Sequence, residues 1–197
     1  MKLKHAVVLT TLAVVWLAPP QTACAQQPRR EAGATTFFVT IVNQGGIKLS
    51  EETPRGGKQG KIEGIKFFYQ LSSPRDLATG QAAGKRQHSP ITFTKEWGAA
   101  SPQLFQAAVT NEVLRSVTFE FVKPNPNGNG QEIIYETITL TNARVGSIKR
   151  YIATPTGSEQ PDPRALEDVT LTFQKIEIKN TVAGTASMDT WATGPLR

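Results

Sequence analysis

Val117, Phe119 and Phe121 fall on alternate positions and run into the cluster Pro124-Asn125-Pro126-Asn127-Gly128-Asn129-Gly130, after which residues 132–140 resume an extended pattern. Side chains two apart share one face of a strand, and Asn-Gly pairs accept positive φ, so this stretch predicts a β-hairpin. No other feature limits the fold as strongly, because the same alternation recurs along the chain with turn-rich segments between its occurrences. Consecutive strands joined by turns give an antiparallel sheet, whereas a parallel sheet would require helical crossovers.

The other elements follow the same logic. Thr36-Phe37-Phe38-Val39-Thr40-Ile41-Val42 is β-branched, aromatic and apolar on both faces, which predicts a strand covered on both sides or set in a closed barrel. Residues 62–71 predict a second strand, with Ile65, Phe67, Tyr69 and Leu71 on one face. Residues 90–94 predict a third, with Ile91 and Phe93 inward. A helix is expected from Ser101, capped by its hydroxyl, with Pro102 at the first position and Leu104, Phe105, Ala108 and Val109 as its apolar stripe. Residues 143–152 continue or re-enter the sheet. Val169, Leu171 and Phe173 alternate, and the phase then slips to Ile176 and Ile178; such a slip needs a bulge or a strand that bends from one sheet into another. About seven strands and one short helix result. The class is all-β with one short helix, a small antiparallel β-barrel or sandwich.

The first 25 residues stand apart. Lys2, Lys4 and His5 precede a short apolar run, Pro19 and Pro20 end it, and Ala23-Cys24-Ala25 offers an A-x-A cleavage site. This predicts a signal peptide over residues 1–25, cleaved after Ala25, and an exported, periplasmic or secreted protein with no membrane span in the mature chain. Cleavage removes the single cysteine, so the domain must be stabilised by its apolar core, without disulfides. Residues 26–35 read as a flexible N-terminal arm and residues 36–197 as one domain. The formal charge is +6 at pH 7 and falls by two with Lys2 and Lys4. The basic residues are scattered rather than interleaved with aromatics, which argues against nucleic-acid binding.

Catalytic signals are missing from the pattern. His5 leaves with the signal, and His88 is expected as a lone surface histidine in a polar loop. His/Cys metal sites and calcium loops have no candidate residues. Glu51-Glu52 and Glu167-Asp168 are adjacent carboxylates, which on a strand point to opposite faces and in a loop are solvated. Gly56-Gly57-Lys58-Gln59-Gly60-Lys61 lacks the spacing of a phosphate loop and leads into a strand. We therefore expect no enzyme, no catalytic or metal residues and no cofactor. Residues 43–60 are glycine-rich and long for a connection in a compact domain, which marks them as disordered or functional.

Two longer segments carry a family resemblance. Ser89-Pro90-Ile91-Thr92-Phe93-Thr94-Lys95 followed by Ala100-Ser101-Pro102-Gln103-Leu104-Phe105 resembles the strand-then-helix segment of the Hcp (haemolysin-coregulated protein) family of type VI secretion. Residues 135–145 and 166–178 are similar to the family's paired late strands, and Asp189-Thr190-Trp191 to its closing Asp-x-Trp. These anchors span about Phe37 to Trp191 in family order. The resemblance implies a small Hcp-type barrel that assembles head-to-tail into a homo-hexameric ring, with stacked rings forming a secreted tube whose lumen can hold secreted effector proteins. It further implies that the long loop stacks rings, with Gly45, Gly46, Lys48, Glu51, Glu52, Arg55, Gly56, Gly57 and Lys58 as candidate residues. An export signal departs from the cytoplasmic pattern of tube-building members. The alternative it leaves is an independently secreted Hcp-like binding module or effector-like protein with no tube role.

Overall fold

The structure is a computed structural model that describes residues 36–52, 58, 60–126, 128, 130–153 and 164–190. The expected signal peptide and N-terminal arm lie outside the described residues. Twelve strands and one helix occur among the described residues: β1 Thr36–Asn43, β2 Lys48–Leu49, β3 Ile62–Gly64, β4 Lys66–Phe68, β5 Leu71–Ser72, β6 Gln87–His88, β7 Ile91–Glu96, α1 Ala100–Val109, β8 Leu114–Pro124, β9 Glu132–Ala153, β10 Arg164–Thr172, β11 Lys175–Asn180 and β12 Thr185–Thr190. The class is the expected one, antiparallel β with one short helix.

The sheet runs β1-β8-β9-β10-β7-β4 and closes through residues 62–68. β3 pairs with β1, Phe37 opposite Gly64; Ile65 then donates its N–H to Thr94 O at 2.8 Å, and β4 pairs with β7, Phe67 opposite Phe93. The expected single strand over residues 62–71 is thus three short ones. Its inward phase changes between Gly64 and Ile65 because the first part faces β1 and the second β7. Leu71 belongs to a separate two-stranded ribbon, β5-β6, and is exposed.

The interior is filled, as small barrels require. Phe37, Phe67, Phe93, Phe119 and Phe121 form one aromatic group from β1, β4, β7 and β8, with ring centroids 5.1–6.2 Å apart. Val39, Ile41, Ile62, Ile91, Leu104, Val117, Leu140, Val169 and Leu171 complete the core. Each such side chain contributes roughly 1.5–3 kcal/mol by leaving water. Phe38 is also fully buried, on the opposite face of β1, with Lys58 Nζ 5.2 Å from its ring centroid. That matches the two-sided burial expected for this strand.

β9 is one strand of 22 residues rather than two segments. Its first half pairs with β8 and β11, its second half with β10. The change of partner falls at Asn142, whose φ of 50° bends the chain and whose amide donates to Gln174 Oε1 at 2.9 Å. The apolar phase slip lies directly opposite, where the chain leaves β10 at Thr172 and enters β11 at Lys175. Of the two explanations the sequence allowed, the transfer from one sheet to the other is the one found.

The helix departs from expectation in detail. It starts at Ala100, its N-cap is Ala99 with no side-chain cap, and its buried face is Ala100, Ser101, Leu104 and Ala107. Phe105 and Val109 are 56% and 62% exposed. The stripe is rotated because Ser101 is drawn inward by polar partners.

Candidate functional site

Lys95 and Glu167 are both 0% exposed, though the sequence places them among solvated charges. Their position follows from strand phase. Lys95 is two residues beyond Phe93 on β7, Glu167 two residues before Val169 on β10, and the register sets them directly opposite one another. Arg150 of β9 is the next residue in the same row. Lys95 Nζ lies 3.3 Å from Glu167 Oε1, and Arg150 Nε lies 3.0 Å from Glu167 Oε2. Asp168, by contrast, points to the other face, where Thr94 Oγ1 and Tyr151 Oη donate to it at 2.6 and 3.1 Å.

Two more groups complete the row. Ser101 Oγ donates to Glu167 Oε1 at 2.7 Å and accepts from Lys95 Nζ and Gly98 N–H, each at 3.1 Å. The hydroxyl expected to cap the helix therefore serves the buried charges instead. Glu51 reaches in from the long loop, and Lys95 Nζ donates to its Oε1 at 2.7 Å. Burial raises the Glu51 carboxyl above its ordinary pKa, opposed by the hydrogen bond and charge of Lys95. Its Oε2 is buried and has no hydrogen-bond partner among the described residues. A buried charge without full pairing is expensive, so the row binds the loop base, β7, α1, β10 and β9 into one unit.

The candidate stacking residues separate accordingly. Gly45 and Gly46 form the turn between β1 and β2, where Gly46 has a φ of 83° and donates its N–H to Asn43 O at 3.0 Å. Lys48 is exposed on β2, which pairs with β1, and Leu49 is buried. Glu51 belongs to the ion-pair row, Glu52 is exposed and Lys58 covers Phe38. Arg55, Gly56 and Gly57 lie outside the described residues.

A second polar group overturns the reading of His88 as a surface histidine. Its side chain is 5% exposed, with Nδ1 2.6 Å from Tyr69 Oη and Nε2 2.8 Å from Asp189 Oδ2. Arg86 grips the same carboxylate through Nε and Nη2, so the Asp189 carboxyl is held well below its ordinary value by Arg86 and then by His88. Asp189 is the first residue of the closing Asp-x-Trp; Trp191 lies outside the described residues. β12, which carries Asp189, has no long apolar run and was not expected from the sequence.

The first group is closed off and the second lines a shallow cavity of about 380 Å³ with Tyr69, Arg86, His88 and Asp189. Lys95, Glu167 and Ser101 are sealed from solvent, and no set of three His, Cys, Asp or Glu side chains is placed to hold a metal among the described residues. No helix among the described residues is long and apolar enough to cross a membrane.

The comparisons with known proteins agree with this fold. Residues 44–179 match the family described as "Type VI secretion system effector, Hcp". The "Major exported protein" of Pseudomonas aeruginosa is 32% identical over 139 residues, covering 71% of this chain and 80% of that protein. The solved structure of a mutant Hcp1 protein from E. coli EAEC 042 superposes with a TM-score of 0.68 at 28% identity, over 80% of this chain and 99% of that one. The secreted protein Hcp3 from Pseudomonas aeruginosa shares the fold, with a TM-score of 0.63 at 22% identity over 81% of this chain and 100% of that one. The matched span runs from the turn after β1 to the end of β11 and takes in the whole ion-pair row, and on these grounds the chain belongs to the Hcp family of type VI secretion.

Proposed function

We propose that this protein is a structural subunit of a secreted assembly: a homo-hexameric ring, stacked into a tube whose lumen can carry secreted effectors, with residues 45–58 contributing to the contact between rings. The observation that carries this reading is that long strand edges are left open, two of them in particular. β12 pairs only with β11, and β9 beyond Val145 pairs only with β10, among the described residues. An open edge offers unpaired backbone groups on which another chain can pair, and a ring of identical subunits needs two different surfaces that meet head-to-tail. The exposed apolar side chains Phe68, Phe105, Val109 and Ile152 are further material for subunit contacts.

In this reading residues 1–25 are removed on export and residues 26–35 form an arm on a domain that begins at residue 36. The protein is not assigned a catalytic role. Native mass spectrometry of the exported protein tests both points. The expected result is a sixfold mass built from chains that begin at Gln26. A strictly monomeric protein overturns the ring and favours an independently secreted binding module, while chains that retain Met1 overturn the cleavage.

A further inference from the structure

Glu51 is the one member of the ion-pair row that comes from a loop, and its removal would leave the rest intact. Lys95 Nζ also donates to Ser101 Oγ and to Glu96 O, and it faces Glu167. Glu167 keeps Arg150 and Ser101. The docked carboxylate, in contrast, leaves Oε2 buried without a partner among the described residues, a loss that offsets much of what the bond from Lys95 contributes. Gly98 provides the space: a Cβ there would stand 2.0 Å from Glu51 Oε1, so the carboxylate occupies a notch cut by the absence of a side chain.

We propose that the Glu51 carboxylate is a detachable latch that holds residues 50–52 against the barrel and closes more firmly as the surroundings are acidified. Its consequence for stacking rests on the ring reading above; the latch itself does not. The groups facing Glu51 are Lys95 and Glu96 from β7 and Glu167 from β10, with Arg150 of β9 on the far side of Glu167. α1 faces it with the Ser101 hydroxyl. Burial outweighs the opposing pull of Lys95, so the docked carboxyl binds a proton more tightly than a released, solvated one. A state that takes up a proton more readily gains population as pH falls. The docked-to-released ratio changes by up to about tenfold for each pH unit separating the two carboxyl values. A second, weaker tether, Gln103 Nε2 donating to Ser50 O at 3.4 Å, keeps the segment nearby when the latch opens.

A spin label tests this directly, because Glu52 is exposed and adjacent. The full chain carrying Cys24→Ser and Glu52→Cys is labelled, and its mobility is recorded by electron paramagnetic resonance from about pH 4 to about pH 8, a range that starts at the ordinary Glu value of about 4. The expected result is a mobile component that grows several-fold toward high pH. Glu51→Gln, neutral at every pH, abolishes that dependence, and Glu51→Ala is mobile throughout. A pH-independent spectrum in the parent, mobility that grows on acidification, or an immobile Glu51→Ala overturns the latch. Light scattering on the same samples separates the two readings: a monomer with pH-dependent mobility keeps the latch and loses the ring, and a ring with a flat profile does the reverse.

Discussion

Gly98 and Glu51 touch across the junction of loop and helix: the glycine's missing side chain is the seat of the carboxylate. Gly98→Ala therefore displaces the Glu51 carboxylate, the far end of a flexible side chain, and leaves the barrel in place. Urea unfolding is expected to show a loss of no more than about 1 kcal/mol, what is left of one charged hydrogen bond once the unpartnered Oε2 regains water, with an unchanged slope. In a Glu51→Ala background the same substitution has little further effect, since the coupling between the two positions is the quantity lost.

Lys95 stands at the opposite extreme, since its removal leaves the buried Glu167 with one cation, the part-exposed Arg150, instead of two. Lys95→Ala is expected to destabilise the protein by about 3–5 kcal/mol in chemical unfolding. Lys95→Met combined with Glu167→Gln restores a substantial part of that loss, because the core charge of Glu167 is gone and Glu51, on its loop, can leave for solvent. A double change whose cost equals the sum of the single ones would show that the two residues act independently.

Barrel closure depends on Gly64. A Cβ there would lie 2.0 Å from the Phe37 ring, which rests over the glycine where β3 meets β1. Gly64→Ala is expected to reduce stability by about 1–3 kcal/mol through overpacking, and Phe37→Leu in the same chain to recover part of it. Thermal unfolding of the two single variants and the double variant measures this.

Asp189 gives a pH signature of the opposite sign to that of the latch. Its carboxyl is depressed in the folded protein by Arg86 first and His88 second. A depressed acid contributes stability that is complete above the ordinary Asp value of about 4 and is lost as pH falls from there toward the folded value. The stability gap between the parent and Asp189→Asn should therefore be open at neutral pH and shrink on acidification. It should also shrink with added salt, because Arg86 is largely exposed. A gap that is constant with pH would assign the role of Asp189 to shape alone.

The sequence carried the strand phases faithfully and the charges poorly, and the two facts have one cause. Ile91 and Phe93 were recognised as inward by alternation, and the same alternation continues to Lys95; Glu167 is likewise in step with Val169 and Leu171. Two opposite charges in phase with core residues on neighbouring strands were the available signal. They were read as solvated because a buried charge is improbable until its partner is known, and the partner is set by register. The β5-β6 ribbon and β12 were missed for a different reason. These strands are short and carry few apolar residues, held by pairing and by the grip of Arg86 and His88 on Asp189, so no apolar period announces them. The rotation of α1 was hidden too, since Phe105 and Val109 fit an apolar stripe that the fold turns outward.

The register of β1 against β8 also sets when the sheet can be completed. Phe37 finds its place only beside Phe121, and β1 is locked between that strand and residues 62–64. β1 has β2 and β3 within reach early, but its longest pairing waits for β8, and such distant pairing is slow.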